Sequence, residues 1–171
     1  MPETMLRTLG IDPGSRHTGY GIIQGDARNL QHIAHGTIQV PAHMGHPQRL
    51  GVIYQQLIAI IEEYQPGSMA TEDVFFAKNV KSALRLGQAR GAALLAGVNA
   101  GLSVCEYSPL EIKQAVVGYG RASKEQVSEM IRTLLRVKTP IDAHAADALA
   151  VALCHLNMEA SKQRWRLVNP S

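Results

Sequence analysis

Apolar residues recur along this chain with two different periods, and the switches between them mark out its elements. Leu6 to Asp12 and Gly19 to Gln24 are short runs suited to β-strands, joined by a turn containing Pro13-Gly14, and Leu30 to Val40 adds a third run with β-branched residues. These three read as an antiparallel meander. From Gln48 to Tyr64 the period changes: Leu50, Ile53, Tyr54, Leu57, Ile58 and Ile61 form the stripe of an amphipathic helix, which Pro66-Gly67 stops. Ser68 to Val74 predicts a strand, about Val80 to Ala100 a helix rich in Ala and Leu, and Ser103 to Tyr107 another strand. Ser108-Pro109-Leu110-Glu111 and Ser123-Lys124-Glu125-Gln126 are capping boxes, so a helix opens at each. Asp142 can cap a last helix with Leu149, Ala152, Leu153 and Leu156 on its buried side, and 168–171 reads as a frayed tail. The order βββαβαβααα predicts an α/β fold, a mixed central sheet with helices on both faces.

Composition narrows the class. A chain of 171 residues with 46% hydrophobic content suits one domain spanning 1–171. Cys105 and Cys154 lie in apolar surroundings without a Cys-x-x-Cys spacing and are expected as reduced core thiols. The N-terminus lacks the apolar segment of a signal peptide, and the most apolar stretch, Gly91 to Val104, is shorter than the roughly 20 residues a membrane span needs, so a soluble cytoplasmic protein is expected. The net charge of +3 is unevenly spread. Between Phe76 and Lys138 stand ten basic residues against four acidic ones, leaving the remainder net acidic. The basic segment can lie along phosphates while the acidic remainder holds cations.

Four polar residues carry the candidate chemistry. Asp12 ends the first predicted strand and Glu72 lies near the end of the fourth; if those strands are parallel neighbours, both carboxylates leave the sheet at one edge. His144 and Asp147, three apart on the last helix, share a face and can reach back over that edge. Hard divalent cations need such convergent oxygen ligands, and two ions about 4 Å apart can drive in-line hydrolysis of a phosphodiester. Taken singly, each residue has an ordinary reading: Asp12 as a turn former, Glu72 as a surface residue, Asp147 as a solvated helix carboxylate. Asp73 should face away from Glu72 across the strand, and Asp142 fits a helix cap better than a metal ligand.

These segments resemble the RuvC family of Holliday junction resolvases. The resemblance rests on Leu9-Gly10-Ile11-Asp12-Pro13-Gly14-Ser15 with Thr18-Gly19-Tyr20-Gly21, on Glu72-Asp73-Val74-Phe75, Ala77-Lys78-Asn79 and Leu86-Gly87-Gln88-Ala89-Arg90-Gly91, and on Lys113-Gln114-Ala115-Val116-Val117-Gly118 and Ala145-Ala146-Asp147-Ala148-Leu149-Ala150. It implies an RNase H-like fold and a homodimeric endodeoxyribonuclease that cuts four-way junction DNA symmetrically in recombination and repair, leaving 5′-phosphate and 3′-hydroxyl ends. It implies too that Asp12, Glu72 and Asp147 bind Mg²⁺ or Mn²⁺, up to two ions per subunit. His144 falls where most members carry a fourth carboxylate. A neutral imidazole lowers the ligand charge by one and favours softer ions than Mg²⁺, so Mn²⁺ is expected to serve better.

By the same resemblance Lys113 and Lys124 contact DNA near the cut, Phe75 wedges against unstacked bases, and a branch-migration motor of the RuvA and RuvB type is the partner. Lys124 has support of its own: just inside a helix N-terminus the macrodipole disfavours a cation, so a phosphate is a fitting companion. Lys78, Lys81 and Arg85 are spaced as a basic stripe that can track a DNA backbone. Gly87 and Gly91 allow another helix to approach, whether from a second copy or from within the chain. The rival readings are a scaffold that binds branched DNA without cutting, an RNase H-like nuclease acting on RNA, and an actin-like phosphate loop at Gly10 to Gly14, which needs a second domain.

Overall fold

The computed structural model describes residues 6–26, 28–73 and 77–169. Its elements follow the expected order: β1 (Arg7–Asp12), β2 (His17–Gly25), β3 (Leu30–Gln39), α1 (His46–Tyr64), β4 (Ser68–Glu72), α2 (Val80–Asn99), β5 (Ser103–Tyr107), α3 (Pro109–Val117), α4 (Lys124–Leu135) and α5 (Ala143–Val168). The strands form one sheet in the order β3-β2-β1-β4-β5, antiparallel from β3 to β1 and parallel from β1 to β5. Both capping boxes close as expected, with the Ser108 and Ser123 hydroxyls accepting from the backbone N–H groups of Glu111 and Gln126. Asp142 caps α5 through the Ala145 N–H.

The ends differ in places. Val168 is the last helical residue of α5 rather than the start of a tail, while 170 and 171, like Val74, lie outside the described residues. The helix continues because its last turns hold Lys162, Gln163, Arg164 and Trp165, good or tolerable helix formers with no Gly or Pro before Asn169. Cys105 and Cys154 are both free, and burial pushes the Cys154 thiol up to about 12. Among the described residues no helix is long and apolar enough to cross a membrane.

Strand alternation divides the core into two layers. Leu9, Ile11 and Met69 turn to one face and pack with Ile53 and Leu57 of α1 and Ala93 of α2. Ala70 turns to the other face and packs with Ile112, Ile131, Leu149 and Leu153 of α3, α4 and α5. On that second face β1 and β2 carry glycine, at 10, 19 and 21, where α5 crosses them. A Cβ on Gly10 would overlap the Ala148 carbonyl, and one on Gly19 would overlap the carbonyl of His144. The Ala-rich α5 therefore lies with its backbone against the strand backbones, closer than two layers of side chains permit.

Gly10→Ala should destabilise the protein by about 1–3 kcal/mol or more, because α5 must lift along its length to admit one methyl group. Gly51→Ala, in an α1 helix position with nothing within 4 Å of the added carbon, should be neutral or stabilising by up to about 1 kcal/mol. Urea-unfolding midpoints of the two variants should move in opposite directions or, at the least, only the first should fall.

Candidate active site

The sheet register brings the first two carboxylates together. β1 and β4 are parallel neighbours with Ile11 opposite Thr71, so Asp12 and Glu72 follow side by side at the same edge. Alternation from Gly10 and Ala70 turns both toward the α5 face. α5 begins over that edge. Its Asp142 cap is tied to β3 by the Thr37 hydroxyl, which donates to the Asp142 carboxylate at 2.7 and 2.9 Å, and His35 Nε2–H donates to the Pro140 carbonyl at 2.9 Å. With the helix start held there, His144 Nδ1 stands 3.0 Å from Asp12 Oδ2. A carboxylate only accepts, so Nδ1 carries the proton in this contact. Three residues on, Asp147 Oδ2 accepts from Lys124 Nζ at 2.7 Å.

All four predicted residues thus meet at one edge, Asp12 bonded to His144, Asp147 to Lys124, and Glu72 beside them. Among the described residues no three Asp, Glu, His or Cys side chains are drawn to the spacing of ligands around one ion. Electrostatics explains why. Burial and the nearby Asp147 and Asp12 carboxylates push Glu72 above the usual carboxylate range. Burial also raises Asp12, as does Asp147, against the opposing hydrogen bond from His144. Three carboxylates in partial burial repel, and two of them are held by donors of their own: His144 for Asp12, Lys124 for Asp147. The Asp147 hydrogen bond in turn raises the Lys124 ammonium.

Lys113 and Lys124 line a cleft of about 220 Å³ with Glu72 and Asp147, floored by Pro109, Ile112, Val127 and Ala150. A second cleft of about 430 Å³ lies on the other side of the Lys124–Asp147 pair, with Glu125, Ser128, Glu129 and Arg132 along its wall. Lys81 and Arg85 are exposed on the first turns of α2. Lys78 is exposed as well, but it precedes the Asn79 cap, so the expected three-residue helical stripe is shortened to two. Asn79 wins the cap position because its side chain accepts from the Ser82 N–H at 2.9 Å. Phe75 lies outside the described residues. Asp73 turns from the carboxylates toward Arg90, 3.9 Å away, and Asp142 is committed to its cap.

Two contributors escaped the sequence reading. Arg90 of α2 donates to the Glu72 carbonyl and pairs with Glu106 at 3.1 Å, fixing the end of β4 from the opposite face. The glycines at 10, 19 and 21 seat α5; two of them, spaced by two on β2, give the signal of a strand face stripped of side chains. Gly87 and Gly91 have nothing within 4 Å of an added Cβ, so among the described residues no helix packs on them.

Comparison with known proteins places the chain in a family. A family model described as crossover junction endodeoxyribonuclease RuvC matches residues 8–155. The crossover junction endodeoxyribonuclease RuvC of Geobacter sulfurreducens is 53% identical over 163 residues, covering 95% of this chain and 99% of that protein. The structure of T. thermophilus RuvC in complex with Holliday junction substrate superposes with a TM-score of 0.86 at 33% identity, covering 92% of this chain and 96% of that one. The yeast mitochondrial Holliday junction resolvase Ydc2, with a TM-score of 0.70 at 14% identity over 95% of this chain and 82% of that one, shares the fold. With the mixed sheet, the edge carboxylates and these matches in agreement, the chain belongs to the RuvC family of crossover junction endodeoxyribonucleases, built on an RNase H-like fold.

Proposed function

We propose that this protein resolves Holliday junctions, hydrolysing phosphodiesters on paired strands with the aid of divalent metal ions held by Asp12, Glu72, His144 and Asp147. The observation that carries the reading is the gathering of these four side chains at one sheet edge of a RuvC-family fold. Its relatives are named as crossover junction endodeoxyribonucleases, and a close structural neighbour is a RuvC bound to junction DNA.

The donor set suits the ion. RuvC-family nucleases depend on a divalent metal. Burial and neighbouring carboxylates raise the proton affinity of Asp12 and Glu72, a cost that a hard dication relieves, and oxygen donors match Mg²⁺ or Mn²⁺. When bound, such an ion supplies charge stabilisation for in-line attack of water on the phosphodiester. The new P–O bond forms as the P–O3′ bond breaks, the departing 3′ oxygen takes a proton, and 5′-phosphate and 3′-hydroxyl ends result. Lys113 and Lys124, beside Glu72 and Asp147 in the smaller cleft, place ammonium groups where non-bridging oxygens gain negative charge. Lys81, Arg85 and Lys78 extend a basic surface for the DNA backbone, and Phe75 is assigned to the bases near the junction centre.

The working unit is a homodimer. On α2, Val80, Leu84, Leu95 and Val98 are exposed along the stripe that holds Gly87 and Gly91. An apolar helix stripe with small residues at its centre fits a second copy of itself, and a twofold axis then presents one site to each of two strands. A branch-migration motor of the RuvA and RuvB type is the partner for the assembled junction.

Asp12→Asn, Glu72→Gln and Asp147→Asn should each lower cleavage of a synthetic four-way junction at least about a hundredfold, since several kcal/mol of transition-state stabilisation is at stake, while leaving junction binding in gel shifts. A wild-type protein that binds but does not cut with either Mg²⁺ or Mn²⁺ rejects the reading in favour of a non-cleaving scaffold. Preferential cutting of structured RNA rejects it in favour of a ribonuclease.

In metal-free buffer Asp12→Asn should be more stable than wild type at neutral pH, by about 0.5–2 kcal/mol, the usual scale of a single stabilising change at a functional site. The sign follows from the raised proton affinity of folded Asp12. Between the ordinary carboxylate value and the raised one the folded state binds more protons, so wild-type stability falls as pH rises through that window. The variant's advantage should therefore shrink as pH is lowered, as thermal melts with chelator present can check.

Wild type should cut faster with Mn²⁺ than with Mg²⁺, and His144→Asp should narrow that gap. Equal ratios of the two rates in both proteins count against His144 as a ligand.

A further inference from the structure

The ring of His144 has a second neighbour besides Asp12. His17, the first residue of β2, stacks on it with ring centroids 5.3 Å apart and planes 8° from parallel, the offset geometry that aromatic rings favour. The contact is built into the sheet. His17 and Gly19 are two apart on β2 and so face the same side, and it is at Gly19 that the backbone of His144 rests on the strand. Among the described residues the His17 side chain makes this stack and no hydrogen bond, although it is exposed and polar. Its place is not explained by capping, pairing or burial.

A single hydrogen bond from Nδ1 to Asp12 leaves an imidazole on a half-exposed side chain free to swing about that bond. A flat partner parallel to the ring removes this freedom: it lets the imidazole turn only within its own plane. Contacts of this kind orient a ligand without touching the ion, and they act on affinity through the disorder they remove.

We propose that His17 is a positioning residue for His144, holding the imidazole plane in the orientation that a divalent ion meets at the Asp12–His144 side of the site. The role belongs to the ring and not to its nitrogens. It also couples the two positions: the stack serves a histidine at 144 and has nothing to hold when a carboxylate stands there. The inference rests on the metal-dependent reading above.

The test is Mn²⁺ binding to the full-length protein without DNA, by titration calorimetry, for wild type, His17→Ala, His17→Phe, His144→Asp and the double variant His17→Ala/His144→Asp. His17→Ala should weaken Mn²⁺ binding about threefold to tenfold, the equilibrium equivalent of one aromatic pair. His17→Phe should recover most of the loss, and His17→Ala should change nothing further in the His144→Asp protein. The same pattern should appear in the ratio of junction cleavage with Mn²⁺ to that with Mg²⁺. Wild-type affinity in His17→Ala overturns the proposal, as does an equal loss in the His144→Asp background. Failure of Phe to substitute also overturns it, because the nitrogens then matter. If wild type itself binds no Mn²⁺, the metal-dependent reading fails first, and the two failures are distinguished.

Discussion

Backbone contact between α5 and the bare strip of β1 and β2 is the constraint on which the site depends. Metal-binding chemistry needs atoms from the strand ends and from the helix within a few ångströms of each other, yet a helix packed on a sheet through ordinary side chains stands too far away for short carboxylates to meet. Glycine at 10 and 19 removes that spacer, and alanine at 145, 146, 148, 150 and 152 removes it from the helix side. The result is that Asp12, whose side chain has only one methylene, meets His144 directly. The same strip fixes the rotation of α5, because its carbonyls at 144 and 148 sit on the two glycines. Asp147 cannot then point anywhere but the edge where Glu72 emerges.

That geometry is held against an electrostatic cost. Burial and neighbouring carboxylates raise the proton affinity of Asp12 and Glu72, and the groups that oppose this are the Lys124 ammonium, in the wall of both clefts, and the hydrogen bond from His144 to Asp12. A folded core on each side of the sheet supplies the compensating stability, with Leu9, Ile53 and Met69 on one face and Leu149, Leu153 and Ile131 on the other, all fully or almost fully buried. The edge is thereby the least relaxed part of a well-packed body, and it is there that a dication or a phosphate has most to offer. Lys124 illustrates the exchange. In this structure it neutralises Asp147; a phosphate arriving at the N-terminus of α4 and an ion arriving at Asp147 would each find a partner that the other has released.

Much of this was legible in the order of residues. Local signals with a direct physical mechanism translated well: the period of Leu50 to Ile61 into α1, the two capping boxes into the starts of α3 and α4, Asp142 into the cap of α5. The pairing of Asp12 with Glu72 was conditional on β1 and β4 being parallel neighbours, which the βαβ pattern supports and the register bears out. What stayed hidden depends on contacts between distant segments. Arg90 counts as one more basic residue on α2 until β4 is seen to end against it, and His17 is a surface histidine until α5 is laid over Gly19. The helical stripe does not extend to Lys78 for a local reason, since an Asn able to cap lies directly after it and the helix begins only there.

α2 links the site to the proposed dimer axis. Its exposed stripe from Val80 to Val98 spans most of a 20-residue helix, about 30 Å long, while Arg90 on another flank holds the carbonyl of Glu72 and the carboxylate of Glu106. The helix that would meet a second copy is therefore the helix that fixes the end of β4. In a twofold assembly the two Glu72 positions are then related through two rigid helices and two partly buried arginine contacts, without an intervening loop on that path. Symmetric cutting requires that the spacing between sites be as fixed as the spacing between paired strands, and a helix clamped at both its faces is a physical means of keeping it so.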